Sequence, residues 1–145
     1  MQDVLVSIKG YQKQDDDINS IEMIAVGKYQ KTDNGAVAVY NETEESGLNT
    51  RVLLKYENNG KLIIERSGSL NSKMVIERGK RNQNFYRNAH SNFLMGIYGE
   101  HLFSELKNNG GFISAEYQID INGAVISKNK IEISLKEAKN NVNGC

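Results

Sequence analysis

Residues 112–135 read FISAEYQIDINGAVISKNKIEISL, and this stretch decides the fold class. Apolar residues alternate with polar ones before Asn122-Gly123, and they do so again toward the end of the stretch. Successive side chains of a β-strand point to opposite faces, so each half reads as a strand with one packed and one solvated face. Asn-Gly suits a type I′ turn. The stretch therefore predicts an antiparallel hairpin.

The same pattern continues through the chain. Val4, Val6 and Ile8 alternate with other residues, and Asn34-Gly35 and Asn59-Gly60 supply further tight-turn signals. We predict about ten strands, near 3–11, 21–31, 36–41, 49–56, 61–66, 73–78, 82–87, 92–98, 100–106 and 112–121 with 124–135. Short links favour a meander, and closure removes exposed edges. The fold class is thus all-β, an antiparallel meander β-barrel of about eight to ten strands.

One segment is ambiguous between helix and strand. Leu102, Phe103 and Leu106 could share a helix face, but the stretch 99–106 also alternates with a period of two, and we choose strand. The 145-residue length fits one domain. We expect the barrel to occupy 1–138 and a disordered tail to occupy 139–145.

Composition excludes several classes of function. Lysine plus arginine equals aspartate plus glutamate at 18 each, so the basic excess typical of nucleic-acid binding is missing. No apolar run reaches the length of a membrane helix, and no signal peptide is recognised. The single cysteine, Cys145, cannot form an internal disulfide. We expect a cytoplasmic protein that binds neither nucleic acid nor membrane.

Metal and cofactor sites are not predicted. Asp15, Asp16 and Asp17 suggest a calcium loop, but Ser20 and Val26 stand where an EF-hand needs glycine and glutamate. The two histidines, at 90 and 101, have no ligand spacing that suits zinc. No phosphate-binding loop or dinucleotide fingerprint is present.

The direction of the Arg66 side chain, into the barrel or toward solvent, decides what this residue can do. Leu62, Ile64 and Arg66 share one face of a predicted strand, and Ser67 lies on the other. If the first face is the core, Arg66 points inward, where a guanidinium must be paired or hydrogen-bonded. It then either caps the barrel structurally or meets an anion in its mouth. If the other face is packed, Arg66 is exposed.

Tyrosines are spread through the predicted strands. An apolar ring with a polar tip would suit the lining of a lumen that holds a small amphipathic ligand, although tyrosines more often bridge core and rim. The tyrosines on strands are Tyr29, Tyr40, Tyr56, Tyr86, Tyr98 and Tyr117.

The whole chain resembles a known bacterial family. The segments YNETEESGLNT (40–50), ERSGSLNSKMVIERG (65–79) and AEYQIDING (115–123), together with Tyr86, are similar to the YwiB-like family. The resemblance implies a calycin-like, lipocalin-type β-barrel, and the family has no assigned function. It also implies that certain positions recur: Glu44, Gly47, Arg66, Ser67, Gly68, Gly79, Tyr86 and Tyr117.

Three hypotheses follow. The first is a barrel that binds a small apolar or amphipathic ligand. The second is a structural or interaction protein, perhaps a homodimer, whose interior is filled by residues such as Met23, Met74, Met95, Phe85 and Phe93. The third, which we favour least, is an enzyme that uses Glu42 or Glu44 with Arg66. The candidate ligand-binding residues are Arg66, Ser67, Tyr40, Glu44, Tyr86 and Tyr117, and no catalytic residue, metal ligand or cofactor is predicted.

Overall fold

A computed structural model describes residues 1–43, 47, 49–68, 71–87 and 92–138, except the side chains of 84–87 and 92. The predicted tail, 139–145, lies outside the described residues. Ten strands account for nearly all of the described chain. They are β1 (Gln2–Gln14), β2 (Asp17–Thr32), β3 (Gly35–Thr43), β4 (Asn49–Glu57), β5 (Lys61–Gly68), β6 (Ser72–Glu77), β7 (Arg81–Arg87), β8 (Asn92–Lys107), β9 (Gly110–Ile121) and β10 (Ala124–Glu137). Across these residues, no helix has the length and apolarity needed to cross a membrane.

The strands form one antiparallel sheet in the order β6-β5-β4-β3-β2-β1-β10-β9-β8-β7. Consecutive strands are neighbours except for β6 and β7, which lie at the two ends of this order, and β1 pairs with β10 in its middle. The sheet therefore curls until its two outer strands approach each other. This arrangement confirms the predicted all-β antiparallel barrel, which is nearly closed.

The β6–β7 turn makes the closing contacts. Short bridges join Glu77 to Lys80 and Arg78 to Gly99 of β8. The Arg78 guanidinium also donates a hydrogen bond from Nη2 to the carbonyl oxygen of Leu102, at 2.6 Å. These contacts tie the two outer parts of the sheet together without a full strand ladder.

Strand β8 corrects one detail of the sequence prediction. The two strands expected at 92–98 and 100–106 are a single strand, and the strand interpretation of 99–106 is confirmed. Gly99 lies at a register shift against β9, rather than in a turn. A Cβ atom at Gly99 would collide with the carbonyl oxygen of Glu77. Glycine is therefore needed because another backbone approaches it closely.

The β1–β2 hairpin is longer than expected. Pairing continues to Gln14 and Asp17 around a two-residue turn in which Asp15 has a φ of 55°. Most residues here are polar and were interpreted as a loop, because the hairpin extends beyond the core and its sequence does not alternate there. Aspartate tolerates a positive φ at such a turn better than most residues.

The inner face forms the core, and one end of the barrel is filled. Tyr29 is almost completely buried, and its hydroxyl donates to the carbonyl oxygen of Lys107 across 2.8 Å. Around it lies a continuous cluster of apolar side chains that includes Val4, Val6, Val52, Leu54, Leu62, Ile64, Ile76, Ile97, Ile113 and Ile133. The interior at this end is side chains and not a channel.

An ion pair on the outer face braces β7, β8 and β9. Arg81 donates from Nε and Nη2 to both carboxylate oxygens of Asp120, at 2.7 and 2.6 Å. The pair lies over Gly96, where a Cβ atom would collide with both side chains. The Arg81 hydrogen bonds hold the pKa of Asp120 below its usual value, helped by the backbone N–H of Gly123.

Candidate functional site

The inner face of β5 changes from apolar to charged at its end. Leu62 and Ile64 are buried, so their face is the core face. Arg66 continues that face with a side chain that is 26% exposed, and its Nε donates to Oε1 of Glu42 on β3, at 3.0 Å. The inward direction of Arg66, one of the two alternatives left open by the sequence, is therefore the one observed.

A cavity of about 450 Å³ lies beside this ion pair. It is at the end of the barrel away from Tyr29, next to the β1–β2 hairpin. Its apolar wall includes six side chains, each on a different strand: Ile8, Met23, Leu54, Ile64, Met74 and Ile131. The volume is within the range of small-molecule sites, which is roughly 300–1,000 Å³.

Tyr40 supplies an unsatisfied hydrogen-bonding group to this cavity. The residue is 2% exposed, and its hydroxyl has no hydrogen-bond partner among the described residues. Burial raises the pKa of the Tyr40 hydroxyl well above its usual value, Glu42 raises it further, and Arg66 partly opposes this. The hydroxyl therefore stays protonated and can donate a hydrogen bond. A buried polar group without a partner costs roughly 1–3 kcal/mol.

Tyr117 of β9 lines the same cavity. It is buried, and burial raises its pKa, whereas the nearby positive charge of Arg66 lowers it. Tyr40, Arg66 and Tyr117 all line this one cavity. Only β4 separates β3 from β5, whereas β9 is farther along the sheet, so it is the curling of the sheet that brings Tyr117 to the same cavity.

The charge of the cavity lining favours a ligand group that accepts hydrogen bonds. Among the described residues, its charged lining residues are Glu42, Arg66 and Lys130, which together carry one net positive charge. Within the described chain, the hydrogen bonds of Arg66 use only Nε. The two Nη nitrogens are therefore available to a ligand, and a guanidinium donates well to carboxylate, sulfonate or phosphate oxygens.

The six predicted site residues have different outcomes. Tyr40, Arg66 and Tyr117 are brought together in the cavity. Ser67 is exposed on the outer face and does not line it. Glu44 lies outside the described residues, and Tyr86 belongs to β7 but its side chain is not described.

Several other residues of the cavity lining were not predicted from the sequence. Tyr11, Gln12, Asn19 and Asn129 contribute polar groups to its lining. Gln12 and Asn19 belong to the segment between the strands predicted at 3–11 and 21–31, which was interpreted as a loop, and the register of β1 with β2 was the signal that could have placed them. Met23 and Met74, expected to plug a filled barrel, instead form part of the cavity wall.

A metal centre is not evident in the part of the chain that the structure describes. No group of three or more His, Cys, Asp or Glu side chains there is placed to hold an ion. The acidic residue nearest the cavity, Glu42, is already engaged by Arg66.

Comparisons with known proteins agree with this architecture. Residues 6–133 match the family described as "Domain of unknown function (DUF1934)". A crystal structure of the ywiB protein from Bacillus subtilis superimposes with a TM-score of 0.82 at 17% sequence identity, covering 95% of this chain and 93% of that one. No curated protein matches the sequence. The YwiB-like resemblance is thereby confirmed, and at this identity the structural likeness shows the fold alone.

Proposed function

Because the chain belongs to the family described as a domain of unknown function (DUF1934), we propose its function from the cavity itself: the barrel binds one small amphipathic ligand. The observation that carries this proposal is that two residues lining the cavity have spare donors within the described part of the chain: the buried hydroxyl of Tyr40 has no partner there, and Arg66 uses only Nε. Leu54, Ile64 and Met74 give the same space an apolar wall. A ligand with an acceptor head and an apolar body satisfies both parts.

The ligand's head group would accept hydrogen bonds from Arg66 and Tyr40. Its apolar body would pack against Ile64, Leu54 and Met74. The single net positive charge favours a head that carries one negative charge, because a neutral head leaves that charge without a counterion. The volume limits the ligand to one small molecule.

General properties of barrels support the same proposal. Barrels of about eight strands are just wide enough to be filled by side chains or to hold one small ligand. The lipocalin-type relationship implied by the sequence points in this direction as a fold-level analogy. We place the activity in the cytoplasm, because a chain with a single cysteine needs no oxidising compartment.

A fluorescence titration tests the proposal. The probe is 1-anilinonaphthalene-8-sulfonate, which combines an apolar ring system with one sulfonate. We expect the wild-type protein to bind it, and Arg66→Gln to weaken binding by about tenfold or more, since a charge-assisted hydrogen bond is lost. Arg51→Gln is the matched control, because Arg51 is exposed on the outer face of the adjacent strand β4.

The same titration identifies the alternatives. Equal affinity in all three proteins would place the probe elsewhere and contradict the proposed site. Absence of binding to the wild type would favour the barrel without a ligand. Circular dichroism of Arg66→Gln separates loss of binding from loss of folding.

A further inference from the structure

Strand β2 is paired on only one side over much of its length. Its partner β1 runs beside it from Asp17 to Tyr29. Its other neighbour, β3, pairs only with the segment from Gly27 to Thr32. In the portion of the chain with described coordinates, residues 17–26 thus form a free strand edge, which we call the β2 edge.

A gap separates the β2 edge from the next strands. Ala25 of β2 and Asn41 and Glu42 of β3 line a space of about 420 Å³, where simple continuation of the β2–β3 ladder would have paired them. The strands therefore diverge here. Backbone N–H and C=O groups along a free edge are a template for another strand.

The β2 edge is strongly apolar for an exposed strand. Ile18, Ile21, Ile24 and Val26 are 72%, 69%, 68% and 71% exposed. Free edges are usually protected by lysine, proline or a bulge. Residues 17–26 contain no lysine or proline, and their register with β1 shows no shift. The usual protection against edge pairing is absent from this segment.

We propose that a second copy of this chain pairs with the β2 edge, antiparallel to it, and forms a two-fold symmetric dimer. Antiparallel pairing of two identical strands is self-complementary, as a two-fold interface requires. The proposal does not depend on the cavity holding a ligand. A second copy is favoured over an unrelated strand because residues 18–24 of two copies can pair with Ile18 opposite Ile24 and with no like charges opposed.

Charge selects the register of the pairing. Glu22 is the only charged residue between 18 and 26. A two-fold axis at Glu22 would set this carboxylate directly against its copy, which is destabilising. An axis at Ile21 instead sets Glu22 against Ser20 of the partner subunit, and Ile18 against Ile24 of the partner subunit. Both members of the isoleucine pair are then on the outer face, where they cover each other.

This dimer also bears on the cavity. Asn19 and Ile21 belong to its lining, although Ile21 is largely exposed. In the proposed register, the partner's strand lies beside Asn19 and Ile21, where the cavity of each copy reaches the β2 edge. The second copy would therefore supply the part of the wall that is missing between β2 and β3.

Sedimentation velocity of the full chain over a range of concentrations tests the dimer. We expect the wild type to dimerise, and Ile24→Lys to raise the dissociation constant by at least about tenfold. Leu5→Lys is the control, because Leu5 is on the outer face of β1, which has strands on both sides. A monomeric wild type, or a dimer that survives Ile24→Lys, would overturn the proposal. Loss of the dimer in Leu5→Lys would also overturn it, since that result indicates stacking of faces rather than pairing of edges.

Cross-linking tests the register. Directly opposed residues in an antiparallel ladder have Cα atoms about 4.5–5.5 Å apart, within the range that a disulfide spans. Ile21→Cys, in a chain that also carries Cys145→Ser, should form a covalent dimer under mild oxidation. Val125→Cys in the same background is a control of comparable exposure on β10, and it should stay monomeric on a non-reducing gel. A dimer that fails to cross-link through Ile21→Cys would contradict the axis at Ile21.

Discussion

Arg66 shows how the position of one residue follows from strand geometry. The alternation of Leu62, Ile64 and Arg66 restricts the guanidinium to the face of its two apolar neighbours, and the burial of those neighbours makes that face the interior. Within the described residues, Glu42 accepts from Nε and the two Nη nitrogens are not used. The remaining donors, with the hydroxyl of Tyr40, give the cavity its polar end.

The Tyr40 hydroxyl provides a prediction with two opposite effects. Tyr40→Phe removes a buried group that lacks a partner, so we expect the free protein to be unchanged or more stable, by up to about 1 kcal/mol. The same change removes a donor to the ligand and should weaken binding of the sulfonate probe. Thermal unfolding and the fluorescence titration measure the two effects. Lower stability of Tyr40→Phe without ligand would indicate that the hydroxyl has a partner within the protein.

The Arg81–Asp120 pair predicts a dependence of stability on pH. Because the folded-state pKa of Asp120 is lowered, its stabilising effect is present above the pKa of the unfolded chain and disappears as the pH falls through the lowered value. Asp120→Asn should therefore lower the melting temperature by roughly a few degrees at neutral pH. The difference from the wild type should shrink in acid. A difference that is the same at all pH values would contradict this role of the carboxylate.

At the scale of elements, strand β8 depends on one close approach. Gly99 allows the β6–β7 turn to reach β8, and this contact closes the barrel. We expect Gly99→Ala to destabilise the protein by roughly 1–3 kcal/mol, because the new methyl group meets backbone rather than a movable side chain. Gly10→Ala is the control, since its nearest contact is the Ile21 Cγ2 atom at 3.0 Å, on an exposed side chain. Chemical denaturation measures both, and equal losses would contradict the closing role of Gly99.

The sequence predicted an element correctly where the residues of that element alone show the pattern. The alternation in 112–135 and the Asn122-Gly123 turn gave the β9–β10 hairpin, and the turn has the positive φ angles expected of it. It failed where the decisive contact comes from another strand. Gly99 was left between two predicted strands, because the backbone of Glu77, which requires the glycine, is remote in sequence. Asn19 looked like part of a loop because only its pairing with Gln12 makes it a strand residue.

The candidate site was partly predictable for the same reason. The direction of Arg66 depends on its own strand, and it was restricted to two alternatives. The meeting of Tyr40, Arg66 and Tyr117 depends on closure of the whole sheet, which no local pattern contains. The outward direction of Ser67 follows from the same alternation once the direction of Arg66 is known.

At the scale of the molecule, the barrel has two unlike ends. One is filled around Tyr29, and the other holds a cavity with donors at its wall. A barrel with only a structural role would be expected to fill both ends, since an unfilled interior loses packing contacts. The open end is therefore the feature from which the binding function is inferred.

Native mass spectrometry of the freshly purified protein, beside its denatured mass, tests the binding function most directly. We predict an additional mass of small-molecule size on the wild type, lost on denaturation and reduced in Arg66→Gln. The bare mass of the chain in both proteins, or an adduct retained equally by both, would contradict a ligand held at Arg66.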